Sequence, residues 1–144
     1  MAVATKRAPV LDTSAAMSWL VEAELDDDAR SMASEVCDRG AAVPTLFRWE
    51  LQNALAVAVR RGRCTNEIMD ASLRRVSALP LVVDTEIAKM PLTLGLDLMR
   101  RFSLSAYDAC YLELAIRLRR PLMTRDQRLA HAAGEMDVLW ERLF

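Results

Sequence analysis

The sequence predicts an α/β protein with a central, mostly parallel sheet. Three observations carry this: apolar runs of only four or five residues, segments of helical period between them, and no linker-like tract long enough to separate two units. At 144 residues the chain has the usual size of one domain. A chain of that size buries about 68 to 70% of its unfolded surface, so one core over residues 1–144 is expected.

Ala8 to Leu11 reads as a short buried strand, with Pro9 tolerated at its beginning. A helix follows from about Ser14 through Val21. Asp26, Asp27 and Asp28 open a second amphipathic helix that closes at Gly40. Acidic groups suit the positive end of a helix and glycine its C-cap, so the three aspartates read as cap and solvent groups. "AAVP" (41–44) makes the next strand, and Leu46 to Arg61 a helix ended by Gly62. Thr65 to Leu79 forms another helix and "LPLVV" (79–83) another strand. From Ile87 to Arg101 the pattern is helical, with Pro91 forced to interrupt it or start it afresh. Ser105 to Arg120 is the clearest helix. "PLMT" (121–124) is a strand, Gln127 to Ala133 a short helix, and "MDVLW" (136–140) a candidate last strand.

Composition excludes several classes. No apolar run approaches the roughly 20 residues needed to span a bilayer, and "MAVATKRAPVLD" lacks the apolar core of a signal peptide, so no membrane role and a cytoplasmic address are expected. Cys37, Cys64 and Cys110 are odd in number and share no C-x-x-C spacing, which argues for reduced, packed thiols. His131, the only histidine, sits in the small-residue run "LAHAAG", where a surface role outweighs catalysis. None of the four glycines forms a G-x-G-x-x-G or P-loop pattern, so no nucleotide cofactor is expected. All basic residues except Lys6 and Lys89 are arginines, whose planar fork matches phosphate oxygens, although a general preference for Arg over Lys explains this equally well.

Chemistry is carried by the acids. Asp12, Asp84 and Asp126 each follow a predicted strand, and in an open α/β sheet the ligand crevice lies outside the carboxyl ends of the strands. Each also has a capping explanation, the commoner role of an Asp at such a place. Glu50 and Asp108 are harder to dismiss. On a helical wheel Glu50 shares its face with Leu46, Asn53, Ala54 and Val57, and Asp108 shares its face with Leu104, Tyr111, Leu112 and Ala115. Charge is rarely placed in an apolar stripe unless something pairs with it or coordinates it. Asp108 has a local alternative in the capping box Ser105-x-x-Asp108. As a set, carboxylates converging on one crevice repel one another unless a cation neutralises them. All-oxygen ligands select Mg²⁺ or Mn²⁺, and such ions suit phosphodiester hydrolysis.

These residues carry a resemblance. "VLDTS", Pro44 to Leu55 as P-x-x-x-x-x-E-x-x-N-A-L, Leu104 to Ala115 as L-S-A-Y-D-A-x-Y-L-x-L-A, and Pro121 to Leu129 as P-L-M-T-R-D-x-R-L together resemble the PIN-domain nucleases, more narrowly the VapC toxins of toxin-antitoxin pairs. The resemblance covers nearly the whole chain and leaves residues 1 to about 7 as an N-terminal extension. It implies a three-layer α/β/α PIN fold and an Mg²⁺- or Mn²⁺-dependent endoribonuclease that leaves a 5'-phosphate and a 3'-hydroxyl. The catalytic and metal-binding acids it implies are Asp12, Glu50, Asp108 and Asp126. Ser14 and Thr124 are the implied supporting hydroxyls, and Asn53 matches the position after the Glu motif. A cognate antitoxin and a homodimer are the implied protein partners.

Because an acidic pocket repels RNA, arginines must hold the backbone, and Arg48, Arg101, Arg125 and Arg128 stand next to the motifs. Two other classes compete with the nuclease reading. A metal-dependent phosphatase of another family would also place Asp at strand ends, but Asp12-Thr13-Ser14 lacks a D-x-D pair. A catalytically inactive α/β binding module would not require the complete set of acids. Asp84 falls outside the set and is expected to cap or turn into the helix behind it.

Overall fold

Two-residue strands persist only where neighbours bury them on both faces, and the sheet of this protein is built that way. The computed structural model describes residues 7–21 and 25–142. Strand β1 (Val10–Leu11) is wholly buried at the sheet interior, paired on one side with β2 (Ala41–Val43) and on the other with β4 (Leu122–Met123). β3 (Leu81–Val83) pairs with β2, giving the order β3-β2-β1-β4, with every pair parallel. Parallel pairing demands crossovers. Helices α1 (Thr13–Leu20) and α2 (Asp27–Arg39) link β1 to β2, and α3 (Phe47–Arg60) and α4 (Asn66–Ser77) link β2 to β3. Then α5 (Leu96–Phe102) and α6 (Ala106–Leu118) carry the chain back across the sheet to β4, and α7 (Gln127–Glu135) follows.

α1 packs on α2 and α3, while α6 packs on β1, β4, α5 and α7, so the architecture is a three-layer α/β/α sandwich. Among the described residues no helix is long and apolar enough to cross a membrane.

The strand order places the site. The chain marches from β1 outward to β3 and then returns to lay β4 against the opposite side of β1, so the direction of winding reverses between β1 and β4. The crevice of an open parallel sheet lies at such a reversal, beyond the carboxyl ends of the strands. Register fixes what meets there. The Val10 N–H donates to the Pro121 carbonyl (2.8 Å) and the Asp12 N–H to the Met123 carbonyl (3.0 Å), which sets Asp12 beside Thr124.

As expected, Pro91 interrupts the run from Ile87 to Arg101, but the piece before it is only a single 3-10 turn at Glu86–Lys89, and α5 begins only at Leu96. Pro91 has no N–H for a helical bond, and Gly95, at φ 90°, turns the backbone left-handed ahead of α5. "MDVLW" is not a strand but an isolated parallel bridge, Leu122 to Leu139. Asp137 takes φ 57°, which breaks the extended run before it starts. The remaining elements fall within two or three residues of expectation. The expected extension lies, apart from the exposed Arg7, outside the described residues.

Gly40 ends α2 at φ 74°, and a Cβ there would meet the Pro80 carbonyl oxygen at 2.1 Å. Both backbone strain and a clash therefore oppose any side chain. Gly40→Ala is expected to cost about 1 to 3 kcal/mol of stability, read as a lower denaturation midpoint with an unchanged slope in urea.

Candidate active site

Asp12 occupies the N-cap position of α1 with suitable extended backbone, yet its side chain makes no capping bond. The Ser14 hydroxyl donates to Oδ2 at 2.6 Å and the Thr124 hydroxyl to the same oxygen at 2.7 Å. Each hydroxyl has one hydrogen, so the 3.2 Å approach of Ser14 to Thr124 is packing rather than a bond. Both hydroxyl oxygens in turn accept backbone N–H groups, Ser14 from Arg125 (2.9 Å) and Thr124 from Asp126 (3.1 Å). The loop after β4 thus clamps the first turn of α1, and Oδ1 takes neither hydroxyl. Asp12 is 5% exposed. Burial raises its carboxyl above the ordinary 3.8, the Ser14 and Thr124 bonds oppose the rise, and the Glu50 charge adds to it.

Glu50 and Asp108 are half-buried at the margins of their helices' core faces. The deepest residues of α3 are Phe47, Leu51, Leu55 and Ala58, one step round from Glu50. Glu50 reaches α6, where Tyr111 Oη donates to its Oε1 at 2.6 Å. Asp108 stands in the first turn of α6, where its N–H donates to the Ser105 hydroxyl (3.1 Å), the expected cap. Its carboxyl is raised by burial first and then by the charges of Asp126 and Asp12. Cys110 senses the same field: burial, then Glu50, Asp12 and Asp108, push its thiol up to about 12. Asp126 is exposed and caps α7 through Leu129 N–H (2.8 Å), so one of its oxygens has a structural task.

The four acids are thus linked electrostatically in a series: Glu50 acts on Asp12, and Asp12 and Asp126 act on Asp108. Oxygen donors of one sign, one of them buried without a cation in its hydrogen-bond set, are the donor chemistry of a hard divalent ion. Among the described residues no three carboxylate, His or Cys side chains stand together closely enough to hold an ion between them.

The profile of the PIN domain family matches residues 10–135. The chain belongs to this family. Ribonuclease VapC1 of Mycobacterium tuberculosis, from strain CDC 1551 / Oshkosh and equally from strain ATCC 25618 / H37Rv, is 30% identical over 118 residues, covering 74% of this chain and 89% of that protein.

In this PIN domain the four candidate arginines differ in placement. Arg128 lies exposed, donates to the Ser103 carbonyl (3.2 Å) and lowers the Asp108 carboxyl. Arg125 forks onto Asp26, with bonds of 3.1 and 2.5 Å, so Asp26 caps α2 and also pairs across to the site loop. Arg101 lies 4.9 Å over the Phe102 ring. Arg48 stands two residues before Glu50, on nearly the opposite side of α3, and lines a separate apolar cleft with Phe47 and Leu73. Asn53 is exposed one turn beyond Glu50.

Asp84 is held differently from Asp12. Arg117 donates to both its oxygens (3.1 and 2.8 Å) and also to Glu113 (2.6 and 3.1 Å), so one guanidinium ties two carboxylates. The expected turn role is present too, as Glu86 N–H donates to Asp84 at 3.3 Å. What the sequence did not disclose is the Arg117 pair, and with it Thr13 and Tyr111 at Glu50. A buried tyrosine needs a partner for its hydroxyl, which was the available signal for Tyr111.

The Arg117 bonds hold the Asp84 carboxyl below its ordinary 3.8. The folded state thus binds that proton less tightly than the unfolded chain. The resulting stabilisation is complete above 3.8 and is lost as pH falls through the folded-state value. Asp84→Asn is expected to cost about 1 to 2 kcal/mol at neutral pH, with the gap to wild type in thermal melts closing on acidification below about pH 4, and with RNA cleavage unchanged.

Proposed function

We propose that this PIN domain is a metal-dependent endoribonuclease and the toxin of a toxin–antitoxin pair. The observation that carries the reading is Asp12: a buried carboxylate held by two hydroxyls, with no cation among its partners and with Glu50 and Asp108 in its field. The curated relatives, each called a ribonuclease, support the reaction class.

Asp12 and Asp108 are the first residues to which a divalent ion is assigned, with Glu50 binding directly or through water and Asp126 contributing the oxygen its cap leaves over. The chemistry Mg²⁺ or Mn²⁺ supplies when bound is activation of water and neutralisation of charge on the phosphate oxygens. Ser14 and Thr124 fix the rotamer of Asp12, and Arg125 and Arg128 stand where an RNA backbone approaching the acids would pass. The products are a 5'-phosphate and a 3'-hydroxyl. A cognate antitoxin offering a cation to the same acids would silence the site, since a guanidinium answers the same uncompensated charge. The working form is a homodimer in the cytoplasm.

The test uses Asp12→Asn and Asp108→Asn. Each should lower the rate of RNA cleavage by about 100-fold or more, since metal assistance is worth several kcal/mol of barrier. Calorimetry should show Mn²⁺ binding lost in step. Asp12→Asn also removes a buried charge, so the metal-free variant should melt no lower than wild type, separating loss of chemistry from loss of fold. Folded variants that still cleave at the wild-type rate would overturn the reading.

A further inference from the structure

Glu50, which the sequence singles out because it stands in an apolar stripe, has surroundings of its own that the sequence does not disclose. Three elements meet at its Oε1: α3 supplies the carboxylate, α6 supplies Tyr111 and α1 supplies Thr13. Tyr111 Oη lies 2.6 Å from Oε1, Thr13 Oγ1 lies 3.0 Å from Tyr111 Oη, and Thr13 Oγ1 lies 3.4 Å from Oε1. Tyr111 has no exposed surface and Thr13 is 8% exposed.

Three contacts compete for two hydroxyl hydrogens. The shortest takes the phenol hydrogen, so Tyr111 donates to Glu50, and its oxygen is then free to accept the Thr13 hydrogen. Burial and the Glu50 bond both push the ionisation of Tyr111 upward, so the donor keeps its hydrogen throughout the working range. Polarised in series, Thr13 to Tyr111 to Glu50, the chain is stiffer than its members taken singly. Oε2 takes neither hydroxyl.

Asp12 is also held by hydroxyls, but there both donate directly to one oxygen, Oδ2, and the other oxygen takes neither. The contrast lies elsewhere in the fold. Asp84 and Glu113 share Arg117, and Asp26 takes Arg125; the guanidinium in each case satisfies the charge itself. A hydroxyl orients a carboxylate without neutralising it, which is what an acid that must accept a cation needs.

We propose that Thr13 and Tyr111 are positioning residues that lock Glu50 through Oε1 and present Oε2 to a divalent cation. This rests on the metal-dependent nuclease reading above, and it concerns the residues behind an acid, not the acids themselves.

Tyr111→Phe keeps the ring in the core and leaves the Thr13 hydroxyl only its 3.4 Å approach to Oε1, and Thr13→Val removes the second member. The measurements are Mn²⁺ affinity by calorimetry, kcat and KM on RNA, and the melting temperature of the metal-free protein. Tyr111→Phe is expected to bind Mn²⁺ about tenfold more weakly, as supporting partners of metal ligands commonly do when removed. Its kcat should fall by a similar factor with KM for RNA little changed. Thr13→Val should shift both readouts in the same direction, by less. A purely structural role would move the melting temperature and leave Mn²⁺ affinity alone, and that result would overturn the proposal. So would wild-type Mn²⁺ affinity and cleavage in Tyr111→Phe while Glu50→Gln is impaired, an outcome that leaves the nuclease reading standing. If Glu50→Gln itself binds Mn²⁺ and cuts RNA like wild type, the role given to Glu50 falls and this inference falls with it. Should Tyr111→Phe fail to fold, Thr13→Val decides: weaker Mn²⁺ binding supports the lock, and unchanged binding overturns it.

Discussion

The fold is organised around one unfavourable act, the burial of the Asp12 carboxylate without a cation. Desolvating an ion is costly, and the protein offsets that cost only in part with hydroxyl bonds from Ser14 and Thr124. Those bonds exist only if β1 and β4 pair in their observed register, because Thr124 is the residue after β4 and Asp12 the residue after β1. The pairing of two dipeptide strands thus does more than complete a sheet: it brings 112 residues of separation in the chain to 2.7 Å. The long return through α5 and α6 is what makes this neighbour relation topologically available.

The acids of the chain divide by the kind of partner they keep. Asp26, Asp84 and Glu113 each meet an arginine, and their negative charge is consumed within the fold. Asp12 and Glu50 meet hydroxyls. Hydroxyls supply direction at little electrostatic cost to the next visitor, so the charge of these two remains on offer. Asp108 and Asp126 stand between the classes, each bound up in a helix start while its charge still acts across the crevice. That gradation is physical, and it orders the four acids by how freely each can change partner.

Much of this was legible in the sequence. Alternation of short apolar runs with helical segments pointed to a parallel α/β sheet, and the strand-exit positions of Asp12, Asp84 and Asp126, after β1, β3 and β4, were legible as well. Glu50 was singled out because it stands where an apolar residue would pack better. The missing last strand and the late start of α5 share a cause: local pattern cannot register a single residue's backbone dihedral. Asp137 at φ 57° breaks an apparently extended run, and Gly95 at φ 90° delays a helix. Pairwise partners were illegible for a different reason. Nothing near Asp84 in the chain points to Arg117, 33 residues away, and nothing local distinguishes the Asp-Thr of residues 12–13 from that of residues 84–85. The resemblance leaves Asp84 outside the set of acids, and the three-dimensional neighbour, hydroxyl in one case and guanidinium in the other, supplies the physical difference.

The two rims of the sheet also differ. Beyond β4 the chain lays its own backbone along the edge, with Leu122 N–H donating to Val138 and Trp140 N–H donating back to Leu122. At the other rim β3 is three residues long, with Val82 and Val83 turned to solvent. One rim is already occupied and the other too short to template a partner strand, since a donor segment would find only a few backbone groups to pair with. Growth of the sheet from outside is therefore poorly supported on either side, and any association of this protein has its helical surfaces to work with.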